Sequence, residues 1–321
     1  MLVLVIRYSM DKIIRQVMQK NKIDVGVSIK ECNDGCINNV FQIGENYILK
    51  IQKELGVLLH QPFIVQLGLD RGAKVPRTID YGEIDSRQYL LTEKMPGKKL
   101  SCDWLFFSEI QKENFIIQIV EQLKILHSIR FDKYSPQRPH EFDNFKDAIA
   151  FITTSINGFD SVDTKKLDKQ TGENFKFIKQ YYQNNLDILD EVETAVFVHN
   201  DLHFENILYQ GDEITALIDF DFARQAPKDY ELWHLVDFFR EPVYYVAKEL
   251  EPMWRRYNIG NEIRYFKKHY PELFAYKDLL SRLRLYMVDQ MIDDIKYPAI
   301  DKFNKKVEDY FKNGWLERLL I

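Results

Sequence analysis

The sequence predicts an α+β protein with a small, β-rich N-terminal part and a larger, mainly helical C-terminal part. Two observations predict this division. Before residue 96, short segments alternate between apolar and polar residues and are separated by turn residues, whereas afterwards long segments carry apolar residues at helical spacing. The dipeptide Pro96-Gly97 marks the change, so we predict one domain over residues 1–95 and a second over residues 96–321.

The first part is predicted to combine helices with antiparallel strands. Its clearest feature is a hairpin, because two alternating segments flank the turn residues Gly44-Glu45-Asn46. In order, the predicted elements are a helix over 10–21, strands over 38–43 and 47–51, a helix over 55–69 broken near Pro62, and strands over 75–84 and 88–93.

The second part is predicted to be helical except for short strands in its middle. Apolar, β-prone segments over 195–198, 207–209 and 216–218 interrupt the helical pattern. The predicted helices span residues 106–129, 143–155, 175–192, 230–250, 262–269, 279–295 and 302–320.

Composition limits the class of protein. The chain has 321 residues, is 45% hydrophobic and 29% charged, and carries a net charge of −5, which is typical of a globular protein. The negative charge argues against a general nucleic-acid or membrane-surface binder. Three cysteines are too few for a disulfide scaffold, and Cys32-x-x-x-Cys36 does not have a zinc spacing. With no signal peptide or bilayer-spanning run expected, we predict a cytoplasmic protein without nucleic-acid or membrane partners.

The most informative segment is HNDLHFENIL at residues 199–208, followed by IDFDFA at residues 218–223. Asp201 can orient a hydroxyl and accept its proton, whereas Asn206 and Asp219 can hold Mg²⁺ against a nucleotide. Apolar strand segments flank these residues, so the polar residues read as a site held on a rigid scaffold.

This segment resembles the catalytic loop and metal-binding motif of the aminoglycoside phosphotransferase family, which includes choline, homoserine and fructosamine kinases. The resemblance implies a bilobal, protein-kinase-like fold, with nucleotide bound by the N-lobe over 1–95 and the catalytic loop in the C-lobe over 96–321. It implies that Asp201 is the catalytic base, that Asn206 and Asp219 bind Mg²⁺, and that His199 organises the loop. Asp221 has two open interpretations: contact with the metal through water, or capping of a turn.

The nucleotide side is predicted from residues 33–50. The Gly35 loop and Asn38 resemble the family's phosphate-covering loop, although one glycine between Asn-rich turns is also typical of a plain hairpin. Lys50 lies within an apolar strand and, beside the catalytic loop, is expected to neutralise the α- and β-phosphates; an exposed strand lysine is the alternative. The family resemblance places Gln61 where a glutamate normally pairs with this lysine. Glu54 is the nearest carboxylate, so either it serves or the lysine is held differently.

The adenine side is predicted from the resemblance of residues 90–97 to the hinge between lobes. There the backbone would bind the base, so Thr92, Glu93 and Met95 are expected beside it. Ile218 is a candidate for the apolar wall, with ordinary core packing as the alternative.

The acceptor side is less constrained. His203 and Glu205 neighbour Asp201 and are candidates for acceptor contacts, although His203 is equally typical of a loop histidine. Glu231 is expected to brace the catalytic loop. Acidic helix residues could bind a polyamine sugar, or could form a solvated helix face with Lys296 and Arg284 as partners. This acidic set comprises Asp237, Glu241, Asp289, Asp293 and Asp294.

Aromatic residues after the metal motif could form a cage for a quaternary ammonium, or could simply be core. They are Trp233, Phe238, Phe239, Tyr244, Tyr245 and Trp254.

The predicted function is therefore transfer of the γ-phosphate of ATP or GTP, with Mg²⁺, to a small hydroxylated and possibly cationic acceptor. An aminoglycoside-type acceptor is the leading hypothesis. The alternatives are a metabolic kinase acting on choline, homoserine or a sugar, and a kinase-fold protein that binds nucleotide without turnover.

Overall fold

The computed structural model describes residues 2–32, 38–53, 58, 61–129, 158–189, 196–258, 260–296 and 299–320. Within these ranges the side chains of residues 2–9, 225 and 289 are not described. The predicted helix over 143–155 lies outside the described residues, as do Gly35 and Glu54.

The N-terminal region is built on a five-stranded antiparallel sheet in the order β1-β2-β3-β5-β4. The predicted hairpin is confirmed, and Asn38 pairs with Gln52 at its open end. Strand β1 was not predicted, because its exposed and half-buried residues give it no apolar face. The strands are β1 Ile29–Cys32, β2 Asn38–Ile43, β3 Tyr47–Gln52, β4 Thr78–Ile84 and β5 Arg87–Glu93.

Two helices pack in this region. Helix α1 covers Leu2–Lys20, so it begins earlier than the predicted residue 10, and its buried face, which includes Ile13 and Val17, packs on the sheet against Leu49. Helix α2 covers Gln61–Leu69. This helix is the C-terminal part of the predicted helix over 55–69, and Pro62 lies in its first turn, where the missing N–H costs no intrahelical bond. Leu58 is not helical, and residues 54–57, 59 and 60 lie outside the described residues.

The C-terminal region contains eight described helices and two small sheets. Antiparallel strands β7 and β10 form one sheet, and β6, β8 and β9 form the other. The strands are β6 Lys98–Lys99, β7 Val196–Val198, β8 Ile207–Gln210, β9 Glu213–Leu217 and β10 Arg224–Ala226. The helices are α3 Glu109–His127, α4 Lys169–Asn185, α5 Glu231–Arg240, α6 Glu251–Trp254, α7 Glu262–His269, α8 Leu279–Lys296, α9 Ile300–Val307 and α10 Trp315–Leu320.

Three predicted helices have different bounds. Helix α4 starts six residues before the predicted residue 175 because Asp168 caps it, accepting a hydrogen bond from the Thr171 N–H. The predicted helix over 230–250 ends at Arg240, since Glu241 leaves the helical conformation and Pro242 follows. The predicted helix over 302–320 is interrupted near Gly314, whose φ of 70° is left-handed.

Gly97 joins the two regions at a close backbone approach. It has a φ of 102°, and strand β6, which follows it directly, pairs with β8. An added Cβ at this position would overlap the Tyr209 carbonyl oxygen and lie 2.8 Å from its carbonyl carbon. Only glycine satisfies both requirements without a shift of one backbone segment.

The Gly97→Ala variant is therefore expected to lower the free energy of unfolding by about 3 kcal/mol, because positive φ and backbone overlap act together. Chemical denaturation measures this. Gly172→Ala is the matched control: it lies on helix α4, where an added Cβ meets nothing within 4 Å. That control should gain about 0.5–1 kcal/mol. Equal stability of the two variants would contradict the expectation.

Candidate functional site

The loop between β7 and β8 carries most of the predicted catalytic residues. The Ile218 N–H donates to the Asn206 carbonyl at 2.9 Å, and His199 Nε2 lies 2.9 Å from the Ile218 carbonyl, to which it donates. These two bonds tie both ends of the loop to the segment after β9. Asp219, the next residue, is thereby held beside the loop.

Asp201 lies at the centre of the loop with its side chain 17% exposed. Asn206 Nδ2 donates to the Asp201 backbone carbonyl at 2.9 Å and to Asp201 Oδ2 at 3.0 Å. His203 Nε2 and His234 Nδ1 lie 3.3 Å and 3.6 Å from Asp201 Oδ1. Burial opposes ionisation of Asp201, but the interactions with His203 and His234 outweigh it and hold its pKa below the ordinary value.

Glu231, at the start of α5, holds the first residues of this loop through hydrogen bonds to their backbone. Its side chain is fully buried and accepts from the backbone N–H groups of His199 at 2.7 Å and Asn200 at 3.2 Å. His127 Nε2 lies 3.5 Å away. Burial would raise the pKa of Glu231, but the interactions with His127 and His199 hold it below its ordinary value. The bracing contact predicted from the sequence is present.

Two non-glycine residues of the site adopt left-handed backbone conformations. Asn200 has a φ of 57° and Asp219 has a φ of 67°. The Asn200 side chain donates to the Phe222 carbonyl at 2.9 Å and accepts from Trp233 at 3.1 Å, which compensates for its backbone conformation. Such conformations are typical of functional sites, where surrounding contacts hold them in place.

Lys50, on β3, reaches the segment after β9. Its ammonium donates to Asp219 Oδ1 at 2.7 Å and to Asp221 Oδ1 at 2.6 Å. Asp221 also accepts from Gln61 through Oδ1 and from Asn38 through Oδ2. Among the described residues, Lys50 is therefore held differently from the expected helix pairing, since Gln61 contacts Asp221 rather than the lysine.

Burial and mutual charge interactions shift the pKa values of Lys50, Asp219 and Asp221. Burial opposes the charged form of Lys50, but the Asp219 and Asp221 carboxylates outweigh it and raise its pKa. Burial likewise opposes ionisation of Asp219, but Lys50 lowers its pKa. For Asp221, burial and the neighbouring Asp219 charge prevail over Lys50 and raise its pKa.

The chemistry of the oxygen atoms fits a hard divalent cation. Asn206 donates through its amide nitrogen, so its amide oxygen is the atom that can bind a cation. Asp219 uses Oδ1 for Lys50, and its side chain is 40% exposed. Mg²⁺ typically takes one or two protein ligands and completes its shell with phosphate and water oxygens. The described residues contain no cluster of three His, Cys, Asp or Glu side chains suited to a metal.

The predicted hinge residues lie at the end of β5. Thr92 pairs with Ile48, and the Glu93 carboxylate accepts from the Arg77 N–H at 2.9 Å. The Lys94 N–H donates to the Asn46 carbonyl at 2.7 Å, which holds the segment against the β2–β3 turn. Met95 follows and is half-buried.

Of the predicted acceptor residues, His203 lies beside Asp201, with Nε2 3.3 Å from Oδ1. The centroid of its ring lies 4.9 Å from that of Tyr245. Glu205 is buried instead, where it accepts from Ser101 and pairs with Lys99 at 2.9 Å. Its carboxylate therefore belongs to an internal ion pair.

The acidic helix residues are also engaged within the protein. Asp237 is buried and pairs with Arg240 at 3.0 Å. Glu241 pairs with Lys305, and Asp293 lies 3.6 Å from Lys296, one of the partners expected for a solvated face. Asp294 pairs with Lys306 at 2.8 Å. Asp289 lies on α8, but its side chain is outside the described part of the chain.

The aromatic set divides between core and surface. Four members are buried, which agrees with the core interpretation: Trp233, Phe238, Phe239 and Trp254. Tyr245 is half-buried and donates to Asp237 at 2.7 Å. Tyr244 is exposed, and the Lys302 ammonium lies 3.8 Å from its ring centroid.

His234 is the site residue that the sequence analysis missed. It lies on α5 with 12% of its side chain exposed, and burial lowers its pKa to about 4 despite the nearby Asp201 charge. Nδ1 is buried without a hydrogen bond. Its position three residues after Glu231 was the available signal, since one helical turn separates them.

Comparison with known proteins identifies the family. The family model described as "Phosphotransferase enzyme family" matches residues 28–262, which include Lys50, the catalytic loop, residues 218–221 and helix α5. The acidic residues Asp289, Asp293 and Asp294 lie beyond this range. The chain belongs to the phosphotransferase enzyme family. The predicted enzyme class, a small-molecule kinase, is therefore confirmed. Helix α1 precedes the matched residues, and helices α8–α10 follow them.

Solved structures confirm the bilobal, kinase-like fold of this phosphotransferase. Aminoglycoside phosphotransferase APH(4)-Ia is 16% identical, with a TM-score of 0.66 over 96% of this chain and 97% of that one. The streptomycin–ATP complex of APH(2'')-IIa is 17% identical, with a TM-score of 0.62 over 94% and 97% of the two chains. The gentamicin complex of APH(2'')-IIa is 18% identical, with a TM-score of 0.62 over 93% and 95%. Such identities show a shared fold.

Two further findings come from a sequence comparison and from the helices of the structure. A search of curated protein sequences gives no significant match. Among the helices of the described residues, none has the length and apolar character needed to cross a bilayer.

Proposed function

We propose that this phosphotransferase moves the γ-phosphate of ATP or GTP to a hydroxyl group of a small molecule of the aminoglycoside type. One observation carries the proposal. Asn206 donates to Asp201 on the catalytic loop, and the negative charge of the nearby Asp219 interacts with that of Asp201. Asp219 in turn accepts a hydrogen bond from Lys50. These four side chains supply a base, two metal ligands and a phosphate-binding cation.

On the nucleotide side, Lys50 neutralises phosphate charge, and Asn38 and the Gly35 loop are the further residues proposed to bind the phosphates. Asn206 and Asp219 hold Mg²⁺, which when bound shields the phosphate oxygens and supports charge development during transfer. The adenine or guanine base lies against Thr92, Glu93 and Met95, with Ile218 as part of the apolar wall. Most of the catalysis then comes from positioning and neutralisation of charge.

On the acceptor side, Asp201 accepts a hydrogen bond from the acceptor hydroxyl and takes its proton as the oxygen attacks the γ-phosphorus. The bond from that phosphorus to the β,γ-bridging oxygen breaks at the same time, and ADP or GDP leaves. Asn206 fixes the Asp201 carboxylate through Oδ2, and His199 holds the loop against Ile218. The low pKa of Asp201 keeps it ionised and ready to accept. His203 and Glu205 were predicted to contact the acceptor; only His203 is adjacent to Asp201.

The aminoglycoside-type acceptor is supported by structures of the same fold that hold hygromycin B, gentamicin or streptomycin. One observation favours a second candidate, a metabolic kinase acting on choline, homoserine or a sugar. The acidic residues expected to bind a polyamine are paired internally, Asp237 with Arg240 and Glu241 with Lys305. Either reaction is proposed for the cytoplasm, the compartment that supplies ATP and GTP.

The test is a phosphotransfer assay with γ-labelled ATP or GTP and a panel of hygromycin B, gentamicin, streptomycin, choline, homoserine and sugars. We expect Mg²⁺-dependent labelling of an aminoglycoside and its loss in excess chelator. Labelling of choline, homoserine or a sugar alone would select the metabolic kinase. If no acceptor is labelled and Mg²⁺–nucleotide neither binds nor shifts the melting temperature, the proposed function is wrong.

A further inference from the structure

We infer that Asp221, held by Gln61 and Asn38, is the positioning residue that anchors Lys50 for nucleotide binding. The inference rests on the proposed function, because it assigns Lys50 to the phosphates. It replaces both earlier interpretations of Asp221, water-mediated metal contact and turn capping. The carboxylate partner of the lysine is then supplied by the segment after β9, and helix α2 supplies a neutral amide.

The hydrogen bonds of Asp221 come from three separate elements. Oδ1 accepts from Lys50 on β3, at 2.6 Å, and from Gln61 at the start of α2. Oδ2 accepts from Asn38 on β2. Three of the roughly four acceptor positions of the carboxylate are therefore used by protein donors, two on Oδ1 and one on Oδ2, so the main contacts of Asp221 are with the protein.

Asp219 and Asp221 differ in access to the cleft. The Asp219 side chain is 40% exposed, whereas that of Asp221 is 13% exposed. Asp219 can therefore turn toward a bound cation, and a lysine paired with it alone would lose its partner. Lys50 itself is only 15% exposed, and a buried ammonium needs a carboxylate nearby. Asp221 supplies that carboxylate whether Asp219 is paired with Lys50 or is turned toward a cation.

Gln61 has the residue type that this arrangement requires. Its side chain is buried, and its amide donates to a carboxylate that is already charged. A glutamate at position 61 would place a second carboxylate against Asp221, and like charges in a buried site repel. In this protein the carboxylate partner of Lys50 lies in the segment after β9 and the amide lies on helix α2. Exchanging the carboxylate and the amide between these two positions is therefore a direct test.

The first experiment is the Asp221→Asn variant. We expect its Kd for ATP, measured by equilibrium titration both with Mg²⁺ and in chelator, to rise about tenfold, as for the loss of one charge-assisted hydrogen bond. The KM for ATP should rise similarly and the KM for the acceptor should stay unchanged. The matched control is Asp85→Asn, which removes an exposed ion pair with Lys12 at the β4–β5 turn and should change neither constant.

The second experiment moves the carboxylate. Gln61→Glu alone should weaken nucleotide binding, because it adds repulsion. The double variant Gln61→Glu/Asp221→Asn should bind ATP within about threefold of wild type, because Lys50 again has one carboxylate partner and one amide beside it. Melting temperatures establish that each variant is folded, and this rescue remains informative if Asp221→Asn alone is too unstable to purify.

The outcomes separate this inference from the proposed function. If wild type binds ATP and Asp221→Asn binds it equally well, the inference is overturned. It is also overturned if the double variant is folded yet no better than the worse single variant. If wild type binds no nucleotide, the proposed function itself fails. Weakened binding in Asp221→Asn together with rescue in the double variant supports the inference even if the acceptor is unknown.

Discussion

The Asp201→Asn variant is expected to transfer phosphate about a thousandfold more slowly than wild type, as for the loss of a general base. Asparagine has the same shape and can still accept one hydrogen bond, so Asn206 and the loop should keep their places. It cannot take the hydroxyl proton. Because Asp201 is proposed to contact the acceptor and not the nucleotide, the Kd for ATP should change by less than about threefold.

Steady-state kinetics with an acceptor that the phosphotransfer assay labels, together with nucleotide titration, measure both effects. Asp212→Asn is the matched control, because Asp212 is an exposed aspartate in the turn between β8 and β9. These two strands pair with each other, and β8 follows the catalytic loop directly. Its rate should equal that of wild type. A variant at position 201 that retains more than a tenth of the wild-type rate would exclude Asp201 as the base.

The Glu231→Gln variant is expected to lose about 3 kcal/mol of unfolding free energy. Glutamine fills the same volume, so no cavity forms and the loss reports hydrogen bonding and charge alone. The carboxylate accepts from two backbone N–H groups, those of His199 and Asn200, and a single amide oxygen serves only one of them well. The other N–H stays buried beside an NH₂ group, which repels it.

Chemical denaturation at neutral pH measures this loss. The matched control is Glu121→Gln on α3, because Glu121 is an exposed helix glutamate. That variant should stay within about 0.5 kcal/mol of wild type. Equal stability of Glu231→Gln and wild type would show that the bracing contacts contribute nothing.

The same variant has a pH signature. The folded-state pKa of Glu231 is lowered, so the carboxylate stabilises the fold above the ordinary glutamate pKa of about 4.3. This contribution is lost as the pH falls through the lower, folded-state pKa. The stability difference between wild type and Glu231→Gln should therefore be complete near neutral pH and shrink progressively below about pH 4.

The sequence predicted the elements whose patterns are local. The hairpin around Gly44 and the helix Glu262–His269 are found as predicted, because alternation and helical periodicity are properties of neighbouring residues. Strand β1 escaped prediction, since its pairing with β2 rather than an apolar face makes it a strand. Helix ends were less predictable where capping or proline decided them, as at Asp168 and Pro242.

The closeness of the polar residues within HNDLHFENIL could also be predicted from the sequence, because a short loop keeps its residues near one another. The surroundings of the acidic residues on the later helices could not be predicted in this way. Asp237 pairs with Arg240, three residues along the same helix, whereas Glu241 pairs with Lys305 on α9, which is far away in sequence. The pairs at helical spacing, such as Asp293 with Lys296, follow from a local rule, whereas the pairs of Glu241 with Lys305 and Asp294 with Lys306 depend on how the helices pack.

By itself, the sequence determined the class of reaction, which the family confirms, and it predicted a base, two metal ligands and a lysine from their motifs. Only the tertiary structure decided what surrounds them. Asp221 and Gln61 are 160 residues apart, yet they meet at Lys50, and His234 reaches Asp201 from another element. The physical reason is that a buried charge is satisfied by whichever donors the fold brings within hydrogen-bond distance, and that choice belongs to the packing of elements.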